Sequence, residues 1–229
     1  MEGRVESGIP GLDELIEGGF VEGSANLIAG RTGTGKTIFG VQFLLCGLRK
    51  GESGVYLTLE EDEREIIEDV SKFDWGEELR GFVKEGKLVI YCTPPTSIKE
   101  LHEISYRLIR KVGAKRFVLD SLSVATMGWK ESSVEVGKIR KEVYDYIRML
   151  KNSGATSLLI VEIPEAEPRA LSRFGFEEFI VDGIIVLHYM EYAAGGIPRS
   201  LVIRKMRRTN HGTDIYPFEI TREGIKVLR

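Results

Sequence analysis

The 229-residue chain is 42% hydrophobic and carries 32 basic and 35 acidic side chains, for a formal net charge of −3. This apolar content excludes an intrinsically disordered chain, and the lack of a long uncharged apolar run excludes a membrane-spanning helix. The slight acidic excess argues against binding nucleic acid by bulk charge, which requires a basic surface. The first residues contain no apolar signal segment, so we expect a soluble, cytoplasmic protein whose residues 1–229 form a single domain.

Short apolar runs predict buried strands, and most of them are separated by amphipathic stretches of helical period. The predicted strands are Ala25–Ala29, Val55–Leu59, Leu88–Tyr91, Phe117–Leu119 and Ser157–Val161, and the predicted helices are Lys36–Arg49, Arg64–Phe73, Ile98–Val112 and Ser133–Lys151. Strands that alternate with helices of this length are joined by right-handed crossovers. The pattern therefore predicts a mostly parallel sheet with helices on both faces.

The pattern changes after about residue 180. Three apolar stretches follow one another closely, at Gly183–Tyr189, Ser200–Met206 and Tyr216–Ile220, and glycine-containing turns separate them. Close spacing of this kind predicts antiparallel hairpins that complete the sheet. The predicted fold class is α/β, with a mostly parallel central sheet flanked by helices and antiparallel strands at the C-terminal end.

Both cysteines, Cys46 and Cys92, follow apolar residues. Free cysteines in such surroundings behave as small hydrophobic residues of the core. The sequence has no close pair of cysteine and histidine, so we expect neither a disulfide nor a metal role for them. We predict that both thiols are buried.

Residues 30–37 match the phosphate-binding pattern G-x-x-x-x-G-K-[ST], between a predicted strand and a predicted helix. Backbone N–H groups of such a glycine-rich loop bind phosphate oxygens together with the positive end of the helix. Lys36 supplies an ammonium group for the β- and γ-phosphates, and the hydroxyl of Thr37 is suited to ligate Mg²⁺. We predict that ATP or ADP binds with Mg²⁺ to the residues Gly30, Arg31, Thr32, Gly33, Thr34, Gly35, Lys36, Thr37 and Ile38.

An acid ends the predicted strand Phe117–Leu119, because Asp120 follows three apolar residues. Downstream of a phosphate loop, an acid in this position is typical of the carboxylate that holds the metal in phosphate-loop enzymes. Open α/β sheets bind their ligands at this carboxyl edge. We therefore predict that Asp120 holds the metal through a bound water.

Glu60 and Glu61 follow the predicted strand Val55–Leu59 at the same edge of the sheet. A carboxylate there is placed to accept a hydrogen bond from a water and to align it with the γ-phosphate. The alternative is that the acidic run 60–63 caps the next helix, which the helix dipole also favours. We favour a catalytic role for at least one of the two glutamates.

In their order and spacing, these motifs resemble the KaiC-like branch of the RecA/RadA ATPase superfamily. The phosphate loop, the Leu59-Glu60-Glu61 turn and the Asp120-Ser121 strand end are accompanied by further segments that resemble this family. Those segments are Gly8–Leu15, Gly18–Ser24, Arg173–Phe179, Lys205–His211 and Tyr216–Phe218. The resemblance covers about Gly8 to Ile220, which is nearly the whole chain.

The resemblance implies a RecA-type P-loop NTPase core that hydrolyses ATP at the subunit interfaces of a homo-oligomeric, hexameric ring. It further implies that Lys205 and Arg207 reach the γ-phosphate held by a neighbouring subunit, and that His211 contacts nucleotide. Residues two apart on a strand face the same side, as such a pair requires. Without the resemblance, the basic residues between Arg199 and Arg208 would be interpreted as a solvated or salt-bridged strand.

Two features depart from the clock-type members, which carry two such domains in tandem. This chain has one phosphate loop, and Glu178 and Phe179 stand where the kinase half of those members has phosphoacceptor Ser or Thr residues. Neither side chain can accept phosphate. We therefore expect an ATPase without autokinase activity, with a regulatory or signalling role toward an unidentified protein partner.

Two other classes of function stay open. In a DNA-binding RecA/RadA paralogue, the loops at about Ser123–Val136 and Pro164–Phe174 would line the centre of the ring. Neither loop is strongly basic, although Met127, Trp129 and Phe174 offer apolar or aromatic surface, so nucleic acid is not the favoured partner. The third class is a nucleotide-gated scaffold with little turnover, against which Glu60 and Glu61 argue.

Overall fold

A computed structural model describes residues 3–125, 133–163, 177–189 and 199–228 of the chain. Its strands are β1 (Arg4–Val5), β2 (Phe20–Val21), β3 (Ala25–Gly30), β4 (Gly54–Thr58), β5 (Leu88–Cys92), β6 (Arg116–Asp120), β7 (Thr156–Glu162), β8 (Gly183–Tyr189), β9 (Arg199–Met206), β10 (Ile215–Thr221) and β11 (Gly224–Val227). Its α-helices are α1 (Lys36–Arg49), α2 (Glu63–Val70), α3 (Gly76–Lys84), α4 (Ile98–Val112), α5 (Leu122–Ala125), α6 (Ser133–Asn152) and α7 (Glu177–Ile180), and a 3-10 helix spans Asp13–Ile16.

A nine-stranded sheet, in the order β11-β10-β9-β8-β3-β7-β6-β4-β5, forms the centre of the described structure. Six neighbouring strands pair in parallel, namely β8, β3, β7, β6, β4 and β5. The strands β9, β10 and β11 are antiparallel to their neighbours. The predicted fold class is confirmed. A separate two-stranded pairing joins β1 to β2 near the N-terminus.

Both faces of the sheet are covered by helices. Successive residues of β3 alternate between the two faces, since Ile28 packs into one apolar cluster and Leu27 and Ala29 into the other. The first cluster contains the buried residues of α1, and the second contains those of α4 and α6. Burial on both faces explains why the central strands have continuous apolar sequences. None of the described helices combines the length and apolar character that a membrane span requires.

Helix α1 lies close to the sheet because it carries a glycine where it crosses the strands. A Cβ atom at Gly40 would stand only 2.9 Å from Cγ1 of Val118 on β6. Most residues of α1 are buried, so the helix is held firmly just after the phosphate loop. This packing fixes the first turn of α1, which carries Lys36 and Thr37, over the end of β6.

Arg116 anchors the opposite end of β6. Its side chain is only 1% exposed, and its Nε donates to the Glu52 carboxylate at 2.6 Å. Its Nη1 donates to the carbonyl oxygens of Glu6 and Phe43, at 2.7 and 2.8 Å, and its guanidinium lies over the Phe43 ring at 4.7 Å. Arg116 therefore ties the N-terminal segment and α1 to the strand whose far end carries Asp120.

The structure differs from the predicted elements in the segment that contains α2 and α3, where polar residues interrupt the apolar pattern. The helix predicted at Arg64–Phe73 spans Glu63–Val70, and the nine residues of α3 were not predicted as a helix. Beyond Val70, the rings of Phe73 and Trp75 stack at 4.7 Å in the connection to α3. These buried aromatic residues therefore belong to a packed turn, not to a helical face.

The prediction that both cysteines are buried is wrong. Cys46 is half-buried and Cys92 is exposed. Cys92 is the last residue of β5, which lies at the edge of the sheet and has buried and partly exposed residues in alternation. An apolar run predicts a strand, but it does not show whether both faces of that strand are covered.

Candidate active site

Four strands end together at the carboxyl edge of the parallel sheet. Gly30 at the end of β3 pairs with Glu162 at the end of β7, and Thr58 at the end of β4 pairs with Asp120 at the end of β6. A cavity of about 830 Å³ opens at this edge. Predicted site residues that line it are Thr32, Gly33, Gly35, Lys36, Thr37, Ile38, Glu60, Glu61 and Asp120. The edge position is the one at which open α/β sheets bind ligands.

The phosphate loop turns sharply between β3 and α1. Gly33 and Gly35 have φ angles of +76° and +99°, which residues other than glycine rarely adopt. Within the loop, the hydroxyl of Thr34 and the ammonium of Lys36 both donate to the carbonyl oxygen of Arg31, at 2.8 and 3.0 Å. The loop is thus closed on itself, with Lys36 folded over it at the N-terminus of α1.

The surroundings of Lys36 are strongly acidic. Burial lowers the pKa of its ammonium, and the nearby carboxylates of Glu162, Asp120 and Glu60 act in the opposite direction. Several negative charges around one lysine would repel the phosphates of a nucleotide unless a cation accompanies them. The electrostatics of the cavity therefore suit a nucleotide bound together with a metal ion.

Thr37 and Asp120 supply oxygen donors of the kind that Mg²⁺ prefers. The hydroxyl of Thr37 donates to Oδ2 of Asp120 at 3.1 Å. The described residues contain no cluster of three or more His, Cys, Asp or Glu side chains suited to hold a metal. Mg²⁺ usually binds through one or two protein oxygens together with water and substrate phosphates, so this sparse donor set fits that ion.

Tyr56 lies behind Asp120 and contacts the same oxygen. Its hydroxyl donates to Oδ2 of Asp120 at 2.5 Å. Burial and the neighbouring carboxylate raise the pKa of the Tyr56 phenol well above its ordinary value, so the phenol is the donor. Burial also raises the pKa of Asp120, whereas its hydrogen bonds from Tyr56 and Thr37 lower it.

Glu60 and Glu61 begin the turn after β4, and Thr58 fixes both of them. The Thr58 hydroxyl accepts hydrogen bonds from the backbone N–H groups of Glu60 and Glu61, each at 3.2 Å. Oε1 of Glu60 accepts from the hydroxyl of Ser121 at 3.0 Å, which directs this side chain toward the end of β6. Burial raises the pKa of Glu61, and the nearby acidic side chains act in the same direction.

The cap of α2 is formed by other acidic residues. The Asp62 carboxylate accepts from the backbone N–H of Glu65 at 2.9 Å, and the Glu65 carboxylate accepts from that of Asp62 at 2.8 Å. This reciprocal pair is a complete capping box. The helix end therefore does not require Glu60 or Glu61, whose side chains face the cavity.

Lys205 and Arg207 lie at the opposite end of the sheet from the phosphate loop, where the parallel strands begin. Met206 pairs with Gly183, which pairs with Asn26 near the start of β3, whereas the phosphate loop begins where β3 ends. Lys205 donates to the carbonyl oxygens of Glu178 and Val181 at 2.8 and 2.7 Å, and Arg207 donates to that of Phe179 at 2.9 Å. The two cations therefore contact one segment, around α7, and neither lines the cavity among its described residues.

His211 follows these two residues in the turn after β9. Its Nδ1 lies 2.8 Å from the carbonyl oxygen of Gly212. The backbone N–H of Gly212 donates to the carbonyl oxygen of Leu15 in the 3-10 helix, at 2.9 Å. Like Lys205, His211 is not among the described residues that line the cavity of its own chain.

Tyr56, Glu162 and Arg199 are among the residues of the site that were not identified from the sequence. Arg199 donates to the carbonyl oxygen of Gly33 at 3.4 Å and lies over the ring of Tyr189. Glu162 ends the apolar strand β7, as Asp120 ends β6, so the same signal would have identified it. Tyr56 gives no such signal, because it lies inside a strand of buried residues.

Some predicted features lie outside the described residues. These are residues 126–132 of the loop at Ser123–Val136, with Met127 and Trp129, the whole loop at Pro164–Phe174, and residues 173–176 of the Arg173–Phe179 segment. The two loops proposed for a DNA-binding function stay predictions.

Comparison with known proteins identifies the family. The family model described as "ATPase: KaiC" matches residues 5–229. The chain belongs to the KaiC ATPase family. This membership supports an ATP-binding P-loop ATPase: the phosphate loop predicted the nucleotide binding, and the family resemblance predicted the ATPase.

The chain is similar to proteins of comparable length and to part of a longer protein. A UPF0273 protein of Methanopyrus kandleri is 37% identical over 98% of this chain and 91% of its own length. The circadian clock oscillator protein KaiC of Picosynechococcus is 32% identical over 98% of this chain, which spans only 44% of that longer protein. A KaiC-like protein from Pyrococcus horikoshii, known from a crystal structure, is 40% identical to this chain. The two structures match over the full length of both chains, with a TM-score of 0.86. The predicted RecA-type core of the KaiC-like family is thereby confirmed.

Proposed function

We propose that residues 1–229 act as one Mg²⁺-dependent ATPase domain that assembles into a homo-oligomeric, hexameric ring and hydrolyses ATP at the interfaces between subunits. The ring would act in regulation or signalling, through a protein partner that responds to its nucleotide state. One observation carries the proposal: Lys36, Thr37, Asp120 and Glu60 meet at one edge of the sheet, whereas Lys205 lies at the other edge.

In this proposal the loop from Gly30 to Ile38 binds the triphosphate. Its backbone N–H groups and the N-terminus of α1 contact phosphate oxygens, and Lys36 exchanges its contact with the Arg31 carbonyl for the β- and γ-phosphates. Thr37 and Asp120 hold Mg²⁺, Asp120 through a bound water. When bound, the ion would supply positive charge that offsets the acidic cavity and the negative charge of the phosphates.

Hydrolysis further needs a group that orients the attacking water. Glu60 and Glu61 both line the cavity. Glu60 is the better placed of the two, because it is one of the charges that act on Lys36 and its side chain is directed by Ser121. A carboxylate in this position accepts a proton from the water and aligns its oxygen with the γ-phosphate.

The active site would be completed by the neighbouring subunit. Lys205 and Arg207 would approach the γ-phosphate across the interface, and His211 would contact the same nucleotide. Cations that reach a transferring phosphoryl group stabilise the charge that develops in the transition state. The position of Lys205 and Arg207, at the edge away from the phosphate loop of their own chain, supports this arrangement.

ATP turnover measured together with particle size tests the proposal. We expect turnover that EDTA abolishes and that coincides with a hexameric species in light scattering, with no effect of single-stranded DNA. Full turnover by a monomer, or turnover that persists in EDTA, would contradict the proposal. Strong stimulation by single-stranded DNA would instead favour a DNA-binding RecA/RadA paralogue, and negligible turnover of a ring that binds ATP would favour a nucleotide-gated scaffold.

A further inference from the structure

We infer that Tyr56 is a positioning residue of the metal site: its phenol holds the carboxylate of Asp120 in the orientation in which it receives Mg²⁺ together with the nucleotide. The inference rests on the proposed function, because it concerns the Mg²⁺ ion on which that function depends. It adds a residue that contacts neither the metal nor the nucleotide, and that acts through Asp120.

The sheet register brings Tyr56 to Asp120. On the paired strands β4 and β6, Tyr56 is opposite Val118 and Thr58 is opposite Asp120. Side chains two residues apart on a strand face the same side, so Tyr56 and Asp120 both point toward α1. Tyr56 lies two residues before Thr58, the residue that pairs with Asp120. Its long side chain spans this distance, and its hydroxyl reaches the carboxylate.

Helix α1 leaves space for this side chain. Tyr56 is 1% exposed, and its ring packs in the apolar cluster beneath the helix. At Gly40, one turn after Thr37, an added Cβ atom would lie 3.6 Å from Cε2 of Tyr56 and 2.9 Å from Val118. The ring therefore passes beneath the first turns of α1, and packing on both sides gives the hydroxyl a fixed position.

Two donors converge on one oxygen of Asp120. Oδ2 accepts from the Tyr56 hydroxyl at 2.5 Å and from the Thr37 hydroxyl at 3.1 Å. Both side-chain hydrogen bonds that Asp120 accepts from described residues thus end on the same oxygen. Of these two hydrogen bonds, the one from Tyr56 lies in the distance range of strong O–H bonds to a carboxylate. The two bonds fix the rotation of the carboxylate and leave Oδ1 without a side-chain donor among the described residues, so that this oxygen would face the metal site.

The hydroxyl of Tyr56 can be removed without disturbing its packing. A phenylalanine keeps the ring and loses only the bond to Asp120, so Tyr56→Phe separates positioning from packing. The chain also offers a matched control. Tyr146 on α6 is completely buried in the cluster on the other face of the sheet, and its hydroxyl bonds to that of Ser105 at 2.9 Å. Tyr146→Phe therefore removes an equivalent buried hydrogen bond away from the site.

The experiment measures metal-dependent nucleotide binding and does not use turnover. The affinity for a fluorescent ATP analogue (mant-ATP) is determined in EDTA and along a series of Mg²⁺ concentrations, for the wild type and both Phe variants. Groups that orient a metal ligand typically contribute roughly 10- to 100-fold to metal affinity. We expect Tyr56→Phe to raise the Mg²⁺ concentration of half-maximal effect by about 10-fold or more. Its affinity in EDTA should equal that of the wild type.

The outcomes separate this inference from the proposed function. Tyr146→Phe should follow the wild-type Mg²⁺ dependence, even where its unfolding temperature falls as much as that of Tyr56→Phe. An unchanged Mg²⁺ dependence in Tyr56→Phe would overturn the inference and leave the proposed function intact, as would a loss of affinity that is equal with and without Mg²⁺. A wild-type protein whose nucleotide affinity does not respond to Mg²⁺ would overturn the proposed Mg²⁺ dependence itself, and the inference with it.

Discussion

Arg199 and Lys205 lie near opposite ends of one strand, β9. Arg199 is therefore beside the ends of the parallel strands, and Lys205 is beside their starts. Arg199 donates to the carbonyl oxygen of Gly33 in the phosphate loop at 3.4 Å, whereas Lys205 donates to that of Val181 at 2.7 Å. Six residues of strand separate them by roughly 20 Å, at about 3.3 Å per residue. The Lys205 end of β9 therefore lies out of reach of the phosphate loop of its own chain, which is what the proposed contact between subunits requires.

Lys36→Ala tests the phosphate loop. The substitution removes the ammonium that lies at the N-terminus of α1 and is assigned to the β- and γ-phosphates. Hydrogen bonds to charged groups contribute about 1.5–3 kcal/mol each, so ATP affinity should fall by roughly 10- to 100-fold or more. Calorimetric titration with MgATP measures the loss. Lys72→Ala removes an exposed lysine from the rim of the same cavity and should cost far less. Equal affinities in the wild type and Lys36→Ala would disprove the assignment.

Glu60→Gln should separate binding from hydrolysis. The amide keeps the size of the side chain and its contact with Ser121, but it cannot take a proton from water. Turnover should fall by ~10²-fold or more, the usual scale for loss of a general base, while ATP affinity is retained. Glu61→Gln is the matched control, since it makes the same change one residue away in the same cavity. If Glu61→Gln loses turnover and Glu60→Gln does not, the roles of the two glutamates are reversed.

Arg116→Met should destabilise the fold more than removal of an exposed arginine. The methionine fills part of the volume, but it removes the hydrogen bonds to the carbonyl oxygens of Glu6 and Phe43 and the ion-pair partner of the Glu52 carboxylate. Breaking a fully buried ion pair on one side costs about 3–5 kcal/mol, and the partial exposure of Glu52 places the expected loss below that range. Arg49→Met removes an exposed ion pair with Glu78 and should cost only about 0–1 kcal/mol. Denaturant unfolding of the nucleotide-free proteins compares them, and similar free energies of unfolding would contradict this account of Arg116.

The sequence predicted most of the fold because its elements follow simple periods. Helices α1 and α4 begin and end at the predicted residues: α1 follows directly from Gly35 of the phosphate loop, and α4 is an amphipathic stretch that the Ser97 side chain caps. Helix α3 was missed because its nine residues give too short a pattern. The exposure of Cys92 was missed for a different reason: strand order decides which strand lies at the edge, and periodicity does not record strand order.

The site was predicted only where a motif or a strand end marks it. Lys36, Thr37 and Asp120 follow such signals, and they meet in one cavity. Tyr56 on β4 contacts Asp120 on the neighbouring strand β6, and this contact depends on the order and the register of the strands. Arg199 reaches the phosphate loop from a strand that follows it by more than 160 residues. Contacts of this kind are set by the tertiary structure, so no local pattern of residues reports them.

Arg207→Ala tests completion of the active site by a neighbour. Arg207 is partly exposed and contacts the Phe179 carbonyl and, at 3.9 Å, the Asp182 carboxylate. Its loss should leave ATP affinity unchanged and reduce turnover, because a cation at the transferring phosphoryl group acts mainly on the transition state. Wild-type turnover per subunit should also rise with protein concentration until the ring is saturated. A loss of ATP affinity as large as that of Lys36→Ala would show that Arg207 acts in its own chain.

Mixing two inactive proteins makes the test decisive. In rings formed from Glu60→Gln and Arg207→Ala subunits, some interfaces join an intact Glu60 to an intact neighbouring Arg207, so activity should partly return. A mixture of Glu60→Gln with Lys36→Ala is the matched control: Lys36 and Glu60 belong to the same site, so no interface in that mixture is complete and no activity should return. Exchange of subunits is verified by energy transfer between labelled proteins. Verified mixed rings of the first kind that stay inactive would show that Arg207 does not act across the interface.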